Sequence, residues 1–201
     1  DDDDLDFIFD DDGEIINDFN EIHTKRNKKK ALITFFDTVD QNLKLFNIEP
    51  LKILITRSCS FCDVRTVYID KPNISSLIEI ASSSSVLIGR SGIGLENAVW
   101  LKNNSHVIEL RPFGFWCDDR YEIAANISGS HYHSVMNKRL KKPAINNNLM
   151  EKHFNNCLSA PSYCESQDCY QILLDQKVDI ELNTFNNTWF KIQLELEKKY
   201  K

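Results

Sequence analysis

A chain of 201 residues with 42% hydrophobic and 27% charged residues has the composition of a globular protein with one full core. Its formal net charge of -6 argues against a nucleic-acid binder, which needs clustered Lys and Arg to displace counterions. No run reaches the roughly 18–20 apolar residues that cross a bilayer, and no charged-then-apolar leader opens the chain.

The first residue is Asp1 rather than Met, as expected of a fragment, a mature form or an incomplete chain, so compartment is read from other features. Six cysteines, Cys59, Cys62, Cys117, Cys157, Cys164 and Cys169, are an even number in a chain of this size. Four Asn-x-Ser/Thr sequons, at Asn73, Asn103, Asn126 and Asn186, are candidate N-glycosylation sites. Both features point to the lumen of the secretory pathway, endoplasmic reticulum or Golgi, with any membrane anchor outside this chain.

Residues 1–30 form an acidic and then basic segment, expected to be solvated or poorly ordered. Eight aspartates fall among the first dozen positions, and Lys25, Arg26 and Lys28 to Lys30 reverse the sign. From Ala31, apolar residues Leu32, Phe35, Phe36, Val39, Leu43 and Phe46 recur at three- and four-residue steps and predict a helix ending before Pro50. Leu51 to Arg57 reads as a buried strand with a polar tip, and Ser58 to Asp63 as a loop. A helix is expected over Ile74 to Ala81, a strand over Val86 to Gly89, a short helix over Leu95 to Leu101 and a strand over His106 to Leu110. Another helix fits Asp118 to Ala125, and a short strand fits His131 to Val135. An irregular Asn- and Cys-rich stretch covers 141–176. Regular structure resumes over Lys177 to Leu182, and a closing helix runs from Thr184 to Tyr200 with Asn183 as its candidate N-cap. Strands that are nearly continuous in apolar residues, alternating with helices, predict a parallel Rossmann-like α/β sheet covered on both faces over 31–201.

In such sheets ligands bind where the carboxyl ends of strands turn into helix N-termini. Gly89-Arg90-Ser91-Gly92-Ile93-Gly94-Leu95-Glu96-Asn97 lies at such a point. Its spacing is Gly-x-x-Gly-x-Gly, not the dinucleotide-binding Gly-x-Gly-x-x-Gly. Even so, Gly92 and Gly94 let the backbone approach a diphosphate, and the amides opening the Leu95 helix can donate to it. A tight corner without a ligand is the competing reading.

Residues 85–114 resemble the signature of glycosyltransferase family 61. That signature is a strand, then Gly-x-His-Gly-Ala-Gly-Leu-Thr-Asn, a helix, and a strand reading Val-Ile-Glu-Leu-x-Pro. This chain has Val86-Leu87-Ile88-Gly89-Arg90-Ser91-Gly92-Ile93-Gly94-Leu95-Glu96-Asn97, and then Val107-Ile108-Glu109-Leu110-Arg111-Pro112. The resemblance extends over residues 31–135. It takes Ile53 to Arg57 as the family's strand ending in Ser/Thr-Arg, and it matches Val178 to Leu194 more weakly.

The resemblance implies the carboxy-terminal, donor-binding lobe of a two-lobed GT-B type glycosyltransferase. Such an enzyme, like plant xylosyltransferases or the protein-directed O-linked N-acetylglucosamine transferases, moves N-acetylglucosamine or xylose to a protein or glycan hydroxyl. The donor is expected to carry uridine diphosphate, and neither metal nor cofactor is expected. Carried over by position, Gly92, Gly94, Leu95 and Asn97 form the donor turn, Glu109 holds the ribose hydroxyls, and Arg57 stabilises the leaving diphosphate as the best catalytic candidate, with Arg90 and Ser91 as further donor-binding candidates. Ser91 stands where the family has histidine, Ile93 where it has alanine and Glu96 where it has threonine. Serine cannot supply an imidazole's proton or charge. An inactive relative that binds a nucleotide sugar or glycan is therefore the alternative function.

The remaining motifs favour plainer readings. Asp10-Asp11-Asp12 imitates a metal-chelating Asp-x-Asp but reads as an acidic tail. Cys59 and Cys62 lack a second Cys-x-x-Cys and read as a disulfide or buried thiols. His131 and His133 share one side of a strand without a third ligand nearby in sequence. Trp100, Trp116 and Trp189 read as core or rim packing.

Overall fold

A computed structural model of the chain describes residues 30–40, 45–69, 73–138, 148–159 and 163–201. Residues 1–29, with Asp10-Asp11-Asp12, lie outside the described residues, and so does Leu43.

The first described element corrects the expected helix: Ala31–Asp37 is a strand, β1. Six of its seven side chains are buried, since the strand has a neighbour on either side and helices over both faces. A strand buried on both faces is apolar at nearly every position, and such a run satisfies a helical period by accident. The expected strand at Leu51 to Arg57 is likewise corrected, because Ile48–Ser58 is a helix, α1. Leu51 and Ile55, four apart, form its buried stripe, and Pro50 sits in its first turn, where the missing N–H is harmless. The expected loop from Ser58 yields at Cys62, where strand β2 (Cys62–Tyr68) begins.

From α2 (Ile74–Ser83) onward the elements follow the sequence expectation closely. The Asn73 side chain caps α2 by accepting from the Ser75 amide. Next come β3 (Val86–Arg90), a 3₁₀ helix (Leu95–Trp100), β4 (His106–Arg111), α3 (Arg120–Ser128) and β5 (His131–Met136). In place of an irregular 141–176 stretch stand α4 (Asn148–Ser159) and α5 (Gln167–Leu174). The closing helix α6 (Leu182–Tyr200) is capped at Glu181, not Asn183. Lys177 to Glu181 join no sheet; Asn47 clasps them, its side chain donating to the Ile180 carbonyl at 2.6 Å and accepting from the Ile180 amide at 3.1 Å.

The five strands are all parallel, in the order β2-β1-β3-β4-β5. Alternate side chains divide the core. Ile33, Phe35, Val86, Ile88, Ile108 and Leu110 meet α1 and α6 on one face. Phe36, Leu87 and Val107 meet α2, the 3₁₀ helix and α3 on the other. The architecture is a Rossmann-like α/β fold.

Disulfides Cys59–Cys62, Cys117–Cys164 and Cys157–Cys169 pair all six cysteines, which fits an oxidising, secretory compartment. Cys157–Cys169 ties α4 to α5 in a satellite core with Phe115, Phe154 and Leu173. Among the described residues no helix is long and apolar enough to cross a membrane.

Candidate functional site

The order in which the chain adds strands reverses between β1 and β3, and a parallel α/β sheet opens a crevice at the carboxyl ends of such a pair. On the β1 side lie Asp37, whose Oδ1 accepts from the Leu45 amide at 3.0 Å, and Thr38, whose hydroxyl accepts from the Asp40 amide at 3.1 Å. On the β3 side lie Arg90, Ser91 and the glycine turn.

The turn has left-handed backbone at Gly92 (φ 85°) and Gly94 (φ 67°). At Gly94 a Cβ would lie 2.9 Å from Ile69 Cδ1 and 3.1 Å from Phe36 Cδ2, so glycine is demanded by packing as well as by backbone angle. Gly92 is exposed, and its amide donates to the Tyr121 hydroxyl at 2.7 Å. Leu95 is wholly buried, while Asn97 folds back, its side-chain amide donating to the Gly94 carbonyl at 2.9 Å. Asn97 thus closes the turn on itself. The amides of Ser91 and Ile93 are also taken, by the carbonyls of Leu110 and Arg90.

Glu109 does not reach out toward a ligand. Fully buried, its Oε1 accepts from the Ser91 hydroxyl at 2.6 Å, and its Oε2 accepts from Arg111 Nε at 2.8 Å and from the Tyr132 hydroxyl. The Arg111 guanidinium also donates to the Asp118 carbonyl at 3.0 Å and to the Tyr132 hydroxyl at 2.7 Å. Burial works against its charge, but the charge and hydrogen bonds of Glu109 and the bond to Tyr132 outweigh it and hold Arg111 more firmly protonated than a free guanidinium. Burial, reinforced by Glu109, raises the pKa of Tyr132, which stays a neutral donor. From Asp118 the chain of contacts continues through Tyr170 to α5. A buried clasp joins β3, β4 and β5 beneath the turn.

Of the two cations expected at the turn, one stands elsewhere and the other is buried beside it. Arg57 lies exposed in the last turn of α1, which leads into β2 and so sits at the amino edge of the sheet, opposite the glycine turn. Arg90 adjoins the turn but is only 1% exposed and donates to the Leu174 carbonyl. Burial lowers its pKa, with Asp175, Asp37 and Asp40 acting in the other direction.

Tyr121, Arg111 and Tyr132 went unread in sequence. The signal for one pair was present: Glu109 and Arg111 are two apart on an apolar strand, so they share a face and can neutralise each other.

On the opposite face His131 and His133 meet a third histidine. His106, buried on β4, places Nδ1 3.3 Å from His133 Nε2, and its ring centroid lies 5.2 Å from that of His131. Among the described residues no group of three or more His, Cys, Asp or Glu is arranged to hold a metal. Burial, then His133, His131 and Lys199, push His106 down to about 3. Burial also lowers His133, opposed by Glu195 and assisted by His131 and Lys191.

The unfolded chain takes up these protons near pH 6.5, so the contribution to stability is complete above that value and falls away as pH drops from about 6.5 toward 3. His106 alone is expected to remove roughly 2 kcal/mol by about pH 5. Urea melts of wild type and His106→Asn near neutral and near pH 5 test this. An equal acid loss in both proteins would place the sensitivity elsewhere.

Comparison with known proteins assigns no family: no protein-family model matches the chain, and no curated protein matches it.

Proposed function

We propose that this chain is the donor-binding lobe of a nucleotide-sugar-dependent glycosyltransferase of the family 61 type, working in the lumen of the endoplasmic reticulum or Golgi. The observation that carries the reading is the glycine turn at the carboxyl end of β3, beside the β1/β3 switch point, with the Val107-Ile108-Glu109-Leu110 strand paired directly against β3. The donor is a uridine diphosphate sugar, N-acetylglucosamine or xylose, and the acceptor a protein or glycan hydroxyl. The diphosphate lies over the turn at its exposed positions, Gly92 and Glu96. Glu109 and Arg111 brace the turn from below, replacing the ribose-binding role expected for Glu109.

Binding without transfer is the second reading, and a specific observation favours it. Ser91 replaces the family's histidine, and its hydroxyl is spent on Glu109. Arg57, the expected catalytic cation, stands at the other edge.

Titration calorimetry with uridine and guanosine diphosphate sugars, paired with a turnover assay, separates the two. Glu96 is exposed within the turn, so Glu96→Lys replaces repulsion by attraction and is expected to tighten diphosphate binding several-fold, roughly 1 kcal/mol. Arg57→Ala is expected to leave it unchanged. Binding with turnover supports transfer; binding without turnover supports the second reading. No binding by the folded native chain rejects both.

A further inference from the structure

Two helices leave rows of large apolar side chains in water, and each row contains a sequon. On α3, Ile123 is 50% and Ile127 68% exposed, four residues apart on one side of the helix, and exposed Asn126 of Asn126-Ile127-Ser128 stands three residues after the first, beside that row. Trp100, 48% exposed, ends the 3₁₀ helix against which α3 packs. On α6, Leu182, Phe190 and Leu194 are 43%, 56% and 44% exposed. Exposed Asn186 of Asn186-Asn187-Thr188 stands four residues after the first and four before the second. The two helices cover opposite faces of the sheet. Each face therefore carries one apolar row with one acceptor asparagine set in it.

We propose that Asn126 and Asn186 carry N-linked oligosaccharides that lie along these rows and shield them from water and from self-association. The three disulfides fit the compartment in which such transfer occurs. In the transfer the side-chain amide nitrogen attacks the anomeric carbon of a lipid-diphosphate-linked oligosaccharide supplied by the host. The N–C bond forms, the sugar's C–O bond to the diphosphate breaks, the lipid diphosphate leaves and the amide gives up one proton. Transfer precedes folding, so a helical position is no obstacle. Pyranose rings present C–H faces that pack on aliphatic and aromatic side chains, and they turn their hydroxyls to solvent. Contiguous apolar surface of this kind on a secreted chain otherwise marks an interface. Of the other two sequons, Asn73 caps α2 through its Oδ1 and Asn103 lies beside Gly129.

The test is the full chain secreted from eukaryotic cells. Peptide mapping after amidase treatment in heavy-oxygen water is expected to show labelled Asp at positions 126 and 186. Unmodified asparagines at both positions in the folded protein would overturn the proposal. Enzymatic removal of the glycans from the already folded protein is expected to raise hydrophobic-dye fluorescence several-fold and to promote self-association. Combining Ile123→Ser, Ile127→Ser, Phe190→Ser and Leu194→Ser is expected to abolish that gain. Removal that changes neither property overturns the shielding role, as does a glycosylated protein that already pairs through these rows.

Discussion

Replacing Arg111 with Met is expected to destabilise the fold by about 3–5 kcal/mol, because the Glu109 carboxylate would remain fully buried without its counter-charge. The hydroxyls of Ser91 and Tyr132 would still donate to it, but two neutral donors do not replace a guanidinium bonded directly to the carboxylate. Adding Glu109→Gln to Arg111→Met removes the charge while leaving an acceptor for both hydroxyls. The double variant should therefore recover at least half of the loss. A double-mutant cycle by urea denaturation gives the coupling directly. The cycle also decides what Glu109 does: a carboxylate held ready for a ribose would leave stability nearly unchanged on Glu109→Gln alone, whereas a clasp would not. Near-additive single losses would show that the Glu109–Arg111 pair is not the brace beneath the turn.

That clasp marks where sequence reading stopped. From Val86 to Val135 the elements were legible because β3 and β4 are short, largely apolar runs entered from Ser85 and Ser105, and turns carry their own chemistry, as with left-handed Gly129 closing α3. Between Ala31 and Arg57 helix and strand were exchanged. Leu51 to Ile55 is too short and too evenly apolar for its period to choose, and the contacts with α6 that cover its buried stripe come from distant sequence. Displacing that strand carried Arg57 to the wrong edge of the sheet, so one misread element removed the expected catalytic cation. Helices α4 and α5 escaped notice because their short apolar faces are joined by the Cys157–Cys169 disulfide, whose pairing spacing alone does not reveal. Gly92 and Gly94 both take left-handed backbone. Which side chains they face depends on register across β3, β4 and β5. A single strand does not encode that register.

The second large effect is expected at Trp189, the one tryptophan of the three that is fully buried. Its ring packs in the cluster formed by Leu51 and Ile55 of α1 with Phe185, Ile192 and Leu196 of its own helix, and its indole N–H donates to the Ser58 hydroxyl at 2.8 Å. Gln193 adds a bond to the Ser58 carbonyl, so α6 grips the end of α1 at two points. Trp189→Ala opens a cavity that neither the sheet nor a helix pinned at both points can readily close, and the expected loss is about 3–5 kcal/mol. For a chain of this size that corresponds to a Tm lower by roughly 6–20 °C. Trp100→Ala, at a half-exposed ring, is expected to stay within about 0.5 kcal/mol of wild type. Similar losses in both variants would show that α6 does not close this face of the sheet. Trp189 contacts the amino edge through Ser58, whereas the glycine turn opens at the carboxyl edge. Under conditions where the variant remains folded, nucleotide-sugar affinity per folded molecule should therefore equal that of wild type, and a matched fall in affinity would place the ligand against α6 instead.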